Sequence, residues 1–178
     1  MLTKTKTGTV SAALVILATV AGASAAGPAA ETKDLARLVG AWKGTGSMTM
    51  GSDKTDGIKI TWNCRAIAGR SGVACDAVMI GIPGVDRYEE TDLFGYDSGA
   101  GKLHWFAVTN AGETHDHVGG TWNGQSAQFV YNGVQEGKPL KEILDLSFKG
   151  ANAGSVEVHA QTFVDGKLAS VLHATAHK

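Results

Sequence analysis

Six histidines and a small set of carboxylates carry the acid–base and ligand chemistry open to this 178-residue chain. His115-Asp-His117 places two imidazoles at i and i+2, so on an extended strand both point the same way. That spacing suits a two-histidine metal site, and His104 on the preceding extended stretch is a candidate third ligand. The dipeptide Asn123-Gly124 is a strong hairpin signal, and it decides which side the pair takes. A turn centred there sets Trp122 opposite Gln125, Val118 opposite Phe129 and His117 opposite Val130. His115 and His117 then share a face with Gln128, Val130 and Asn132, while Val118, Trp122, Phe129 and Tyr131 make the apolar face. The pair is therefore expected to face water. No metal site is expected, with His115 and His117 as the alternative.

Glu142 alternates in phase with Leu140, Leu144, Leu146 and Phe148. A carboxylate on an apolar face needs a partner or a raised pKa, so it is a candidate ligand contact or general base. A turn at Asp165-Gly166 sets His173 opposite Val158 and His159 opposite Leu172. With Val156, Val158, Ala160, Ala169 and Val171 turned inward, His173 is expected in the interior and His159 outside. Trp42, Trp62 and Trp105, with Phe129, are the candidate walls of an apolar cavity. There is no Gly-x-Ser-x-Gly elbow, phosphate loop or dinucleotide fingerprint, and no catalytic residue is assigned.

The balance of 16 basic and 17 acidic residues argues against nucleic acid and against an anionic membrane surface, since both need a basic excess. Met1 to Ala25 reads as an export signal: Lys4 and Lys6, an apolar run from Val10 to Val20, then the small-x-small site Ala23-Ser24-Ala25. That run is shorter than the roughly 20 residues that span a bilayer, so no stable membrane insertion is expected after cleavage. Residues 26–34 are expected to be a loose N-terminus and 35–178 one domain, periplasmic or secreted. In an oxidising compartment Cys64 and Cys75 are expected to form a disulfide.

The elements that must position these residues are strands. In Trp42-Lys-Gly-Thr-Gly-Ser-Met48, Trp42, Gly44, Gly46 and Met48 alternate onto one face, and the glycines let the strand bend. A short helix from Glu31 to Val39 precedes it, with Leu35, Leu38 and Val39 on one face and Gly40 as its stop. If Cys64 opposes Cys75, Trp62 opposes Ala77 and Ile60 opposes Met79, apolar beside apolar. Further alternating runs follow at short intervals, divided by glycine turns, to a total of about ten strands. The fold class is all-β: an antiparallel up-and-down barrel, which removes exposed sheet edges, with a short N-terminal helix.

Leu38-Val-Gly-Ala-Trp-Lys-Gly-Thr-Gly46 resembles the Gly-x-Trp opening of lipocalin-like barrels, and more closely the Gly-x-Trp-x-Gly-x-Gly opening of the haem-binding nitrobindins. Leu93-Phe-Gly-Tyr-Asp-Ser-Gly-Ala-Gly-Lys-Leu-His-Trp105 resembles a bacterial lipocalin-like family of unknown function, and Leu172-His-Ala-Thr-Ala-His-Lys178 a nitrobindin last strand. The resemblance implies a ten-stranded barrel and raises haem as a cofactor. The axial histidine of nitrobindins falls on Val171 here, which cannot ligate iron. The function expected is binding of a small apolar or amphipathic molecule in the barrel. The alternatives are a hydrolase or isomerase using Glu142 or His173, and a filled barrel acting through its outer surface in the cell envelope.

Overall fold

The computed structural model describes residues 30–120, 122–150 and 154–178; the expected export signal lies outside the described residues. Helix α1 (Ala30–Leu35) runs into a 3-10 turn (Ala36–Leu38). It starts inside the segment expected to be loose. Ten strands follow: β1 (Gly40–Met50), β2 (Asp53–Ile67), β3 (Gly72–Ile80), β4 (Tyr88–Asp97), β5 (Lys102–Thr109), β6 (Thr114–Gly119), β7 (Ser126–Gln135), β8 (Lys138–Lys149), β9 (Ser155–Val164) and β10 (Lys167–His177). Each pairs antiparallel with its neighbours in sequence, and β10 returns to β1, so the barrel is closed.

Closure depends on glycine. Gly44 faces Ala176 across the β1–β10 seam, and a Cβ there would lie 1.9 Å from the Thr175 carbonyl oxygen. Only a residue without a side chain lets the two strands pass so closely. A register shift opposite Gly46 and Ser47 leaves Gly57 of β2 unpaired, a bulge that adds local twist to β2. On the next pair of strands, Cys64 opposes Cys75 and the two are bridged, with Trp62 beside Ala77 and Ile60 beside Met79.

One end of the barrel is plugged. Leu35, Leu38 and Trp42 are wholly buried there, and such side chains contribute about 1.5–3 kcal/mol each on burial. The Trp42 indole N–H donates to the Leu38 carbonyl (2.6 Å), and the Trp122 indole N–H donates to the Glu31 carbonyl (3.2 Å). The Lys178 ammonium lies over the Trp42 ring and donates to the Arg37 carbonyl. The helix is too short to persist alone, and these contacts hold it in place.

Two hairpins differ from the expected register by one residue. The β6–β7 turn closes between Asn123 and Ser126, with Gly124 at φ +64° and Gln125 at its centre, one residue later than expected. The ladder then sets Val118 opposite Val130 and Gly119 opposite Phe129. In β9–β10, Leu168 opposes Phe163 as expected, but the next pair is Ser170 with Thr162. Ala169 is therefore a bulge, and beyond it His173 opposes His159. Because side chains alternate with a period of two, each one-residue slip turns a set of side chains to the other face.

Candidate functional site

Opposite the plug, the barrel interior opens into a cavity of about 610 Å³. Its mouth is formed by Met50, by Ile82, Pro83 and Val85 after β3, by Asn110 and Ala111 after β5, and by Gln135. Its walls are mostly apolar: Met48, Ile60, Met79, Leu144, Val158, Ala160 and Leu172. Trp62 and Trp105 reach it from deeper in the barrel. These positions follow from strand alternation, since every second residue of each strand turns inward.

The polar side of the cavity is built on β6, β7 and β8. Contrary to the outward orientation expected for the pair, His115 and His117 both line the interior, and the His117 side chain is only 4% exposed. The β6–β7 register slip is the cause. It puts Val118, not the histidines, on the outside, and Val118 is 38% exposed. Glu142 on β8 meets both rings: its Oε2 is 2.8 Å from His115 Nδ1 and 2.9 Å from His117 Nε2. Tyr131 on β7 stacks on His115 at 4.4 Å between ring centroids with planes 16° apart. His117 Nδ1 lies 3.2 Å from the Trp105 carbonyl oxygen. A carbonyl only accepts, so Nδ1–H is the donor and Nε2 is the nitrogen turned toward Glu142.

The electrostatics follow from these contacts. Burial raises the Glu142 carboxyl, but the hydrogen bonds from His115 and His117 and their charge outweigh it and hold the group at about 2. The bond to Glu142 raises His115 against the opposing effect of burial. On β4, burial raises Glu90 above its ordinary range, with the Tyr88 hydroxyl bond (3.1 Å) and the two histidines offsetting part of the rise. Burial, then the neighbouring Glu90 charge, pushes the Tyr88 phenol up.

Beneath the cavity, Asp92 is wholly buried. Its Oδ2 accepts the Trp62 indole N–H at 2.8 Å and its Oδ1 accepts that of Trp105 at 2.6 Å. Burial, and next the charge of Glu90, raises its carboxyl well above the usual range. The sequence pattern did not single out Tyr88, Glu90 or Asp92, and it placed Tyr131 on the apolar face without a role at the site. A signal was present: Tyr88, Glu90 and Asp92 alternate in phase with the core residue Phe94. The apolar Leu93 between them, which proves to be 42% exposed, obscured it.

Of the expected cavity residues, Trp62, Trp105 and Glu142 line the cavity. Trp42 sits in the plug, and Phe129 packs edge-on against Trp105 and Phe94 in the core below. Val171 and His173, expected inside, alternate with the cavity-lining Ser170, Leu172 and Ala174 and so face outward. The Ala169 bulge reverses them. His173 is exposed and stacks on His159 at 4.2 Å on the outer wall. The last strand thus turns Val171, the position of the nitrobindin axial histidine, away from the interior, and the residues present do not fit haem held in the nitrobindin manner.

A family described as "Protein of unknown function (DUF1579)" matches residues 27–174. Among solved structures, the fold is similar to Rv2717c from Mycobacterium tuberculosis, with TM-score 0.61 and 16% identity over 84% of this chain and 98% of that one. It is also similar to the S-type phycobiliprotein lyase CPES from Guillardia theta, with TM-score 0.53 and 10% identity over 85% of this chain and 98% of that one. At such identities the likeness speaks to the fold alone. Comparison with curated proteins finds no match.

Proposed function

The chain belongs to the DUF1579 family of proteins of unknown function, and from that footing we propose that its barrel binds a small apolar or amphipathic molecule in its interior. One observation carries this reading. The cavity of about 610 Å³ has a largely apolar wall and a polar side where His115, His117 and Glu142 converge, with Tyr88 and Glu90 also in its lining. Ligand sites are commonly about 300–1,000 Å³, apolar, with a few polar groups that fix orientation. The ligand's apolar body lies against Met48, Ile60, Met79, Leu144 and Leu172, and its polar end turns toward the β6–β8 side.

The alternatives fare less well against the geometry. Glu142, held low by two imidazoles, is a poor general base, and His173 is on the wrong side of the wall. A barrel acting only through its outer surface has no use for an open interior. Export to an oxidising compartment is part of the proposal. The Cys64–Cys75 bridge and the N-terminal sequence support it. Among the described residues, no helix is long and apolar enough to cross a membrane.

The test is a titration with a fluorescent fatty acid, read by quenching of Trp62 and Trp105. Saturable binding is expected. Ala160→Trp, which fills the cavity, should weaken it by at least about tenfold, or 1.4 kcal/mol, with circular dichroism unchanged. Absence of saturable binding, or binding that Ala160→Trp leaves intact, refutes the reading.

A further inference from the structure

We propose that His115, His117 and Glu142 form a binding site for a divalent first-row transition-metal ion on the cavity wall. The three side chains each offer one ligand atom, and these atoms lie within 4.8 Å of one another. Two imidazoles and a carboxylate are the donor set of many zinc and non-haem iron sites, and three protein ligands leave further positions free. Bonds of about 2.1 Å set at 90° to 109° put neighbouring ligand atoms about 3.0–3.4 Å apart. The two Glu142–imidazole separations, 2.8 and 2.9 Å, need to open by a few tenths of an ångström, and the two imidazole nitrogens, within 4.8 Å of each other, need to close by up to about 1.4 Å.

The surroundings point the same way. His117 donates Nδ1–H to the Trp105 carbonyl, which orients Nε2 toward the shared point, as the outer hydrogen bond of a metal-binding histidine does. With Nδ1 so engaged, Nε2 can approach a carboxylate oxygen at 2.9 Å only if a proton or a metal ion lies between them. The rings are held before any ion arrives: His117 by burial, His115 by the stacked Tyr131. All the ligands sit on strands rather than loops, so the site is rigid. Both histidines and Glu142 line the cavity, so the free coordination positions open into it. The inference does not rest on the amphipathic ligand, because the ion alone is measured.

The experiment titrates EDTA-treated, ligand-free protein with CoCl2 and ZnCl2, by visible absorption and by calorimetry. The expected result is one ion per chain, with a cobalt spectrum of mixed nitrogen and oxygen ligation. Glu142→Gln and His115→Ala should each lower affinity by more than about tenfold. The double variant His159→Ala/His173→Ala, which removes the stacked pair on the outer wall, should bind as the wild type does. If Glu142→Gln fails to fold by circular dichroism, His115→Ala and the wild-type cobalt spectrum decide the matter. No saturable binding in the wild type overturns the proposal and leaves a proton-bridged triad. So does binding that survives both cavity substitutions, or binding that the outer-wall double variant abolishes. Fatty-acid binding in the metal-free protein is scored separately, so failure of one reading does not count as failure of the other.

Discussion

Replacing Asp92 by Leu tests whether one buried carboxyl fastens the floor of the cavity. Asp92 accepts two indole N–H bonds, from Trp62 on β2 and Trp105 on β5, and so ties together strands on either side of β3 and β4. Leucine has the same branched skeleton, no acceptor and bulkier tips, whose overpacking adds to the loss. It leaves two buried donors unsatisfied, at about 1–3 kcal/mol each. The opposing effect is relief from burying an ionisable group. Burial raises the folded-state pKa of Asp92 above its ordinary 3.8. A raised carboxyl contributes its stability in full below the unfolded value and loses it as pH rises toward the folded value. The wild-type advantage over Asp92→Leu is therefore greatest near pH 4 or below and shrinks toward neutral pH. At the acid end the expected loss is about 4 kcal/mol, and for a domain of this size that lowers Tm by about 8–16 °C. Urea unfolding followed by far-ultraviolet circular dichroism, at several pH values on both proteins, measures it. Taking the difference between the two proteins cancels groups that do not interact with Asp92, Glu142 among them, and leaves the Asp92–Glu90 coupling as part of what is measured. A loss under about 1 kcal/mol at acid pH, or a difference that grows with pH, would refute the reasoning.

Cys64→Ser/Cys75→Ser, or reduction, should cost about 3 kcal/mol for a loop with 11 residues of separation, and lower Tm by about 6–12 °C, by calorimetry. An unchanged Tm under reductant would show that the cross-strand ladder alone fixes the β2–β3 register. Gly44→Ala drives a methyl into the β10 backbone and should destabilise by at least about 3 kcal/mol, whereas Gly95→Ala, with nothing within 4 Å of its Cβ, should change stability by less than about 1 kcal/mol. Equal effects in denaturant titrations would count against the close β1–β10 seam. His173→Ala should leave fatty-acid affinity within about twofold, or 0.4 kcal/mol, of wild type, because the ring lies outside the wall. A larger loss would place it back in the cavity.

The barrel itself was legible in the sequence, and for local reasons. Alternation at Trp42, Gly44, Gly46 and Met48 and the turn glycines specify strands and their order from neighbours only, though not every boundary: β4 begins at Tyr88, which no turn glycine marks. Even the β2–β3 register could be read, because Cys64 and Cys75 fix one pair and the apolar matches around it admit no other phase. Which face looks inward on β6 and β10 could not be read. A turn signal such as Asn123-Gly124 locates a hairpin but leaves its pairing uncertain by one residue, and nothing local marks Ala169 as a bulge. On both hairpins the two faces are nearly equal in apolar content: Val118 and Val130 against Phe129 and Tyr131, Phe163 and Leu168 against Val158 and Ala160. Local energies therefore do not choose between registers one residue apart. Closing ten strands on a single interior does choose, because every inward face must meet the others. That closure brings His115, His117 and Glu142 together and puts His173 outside.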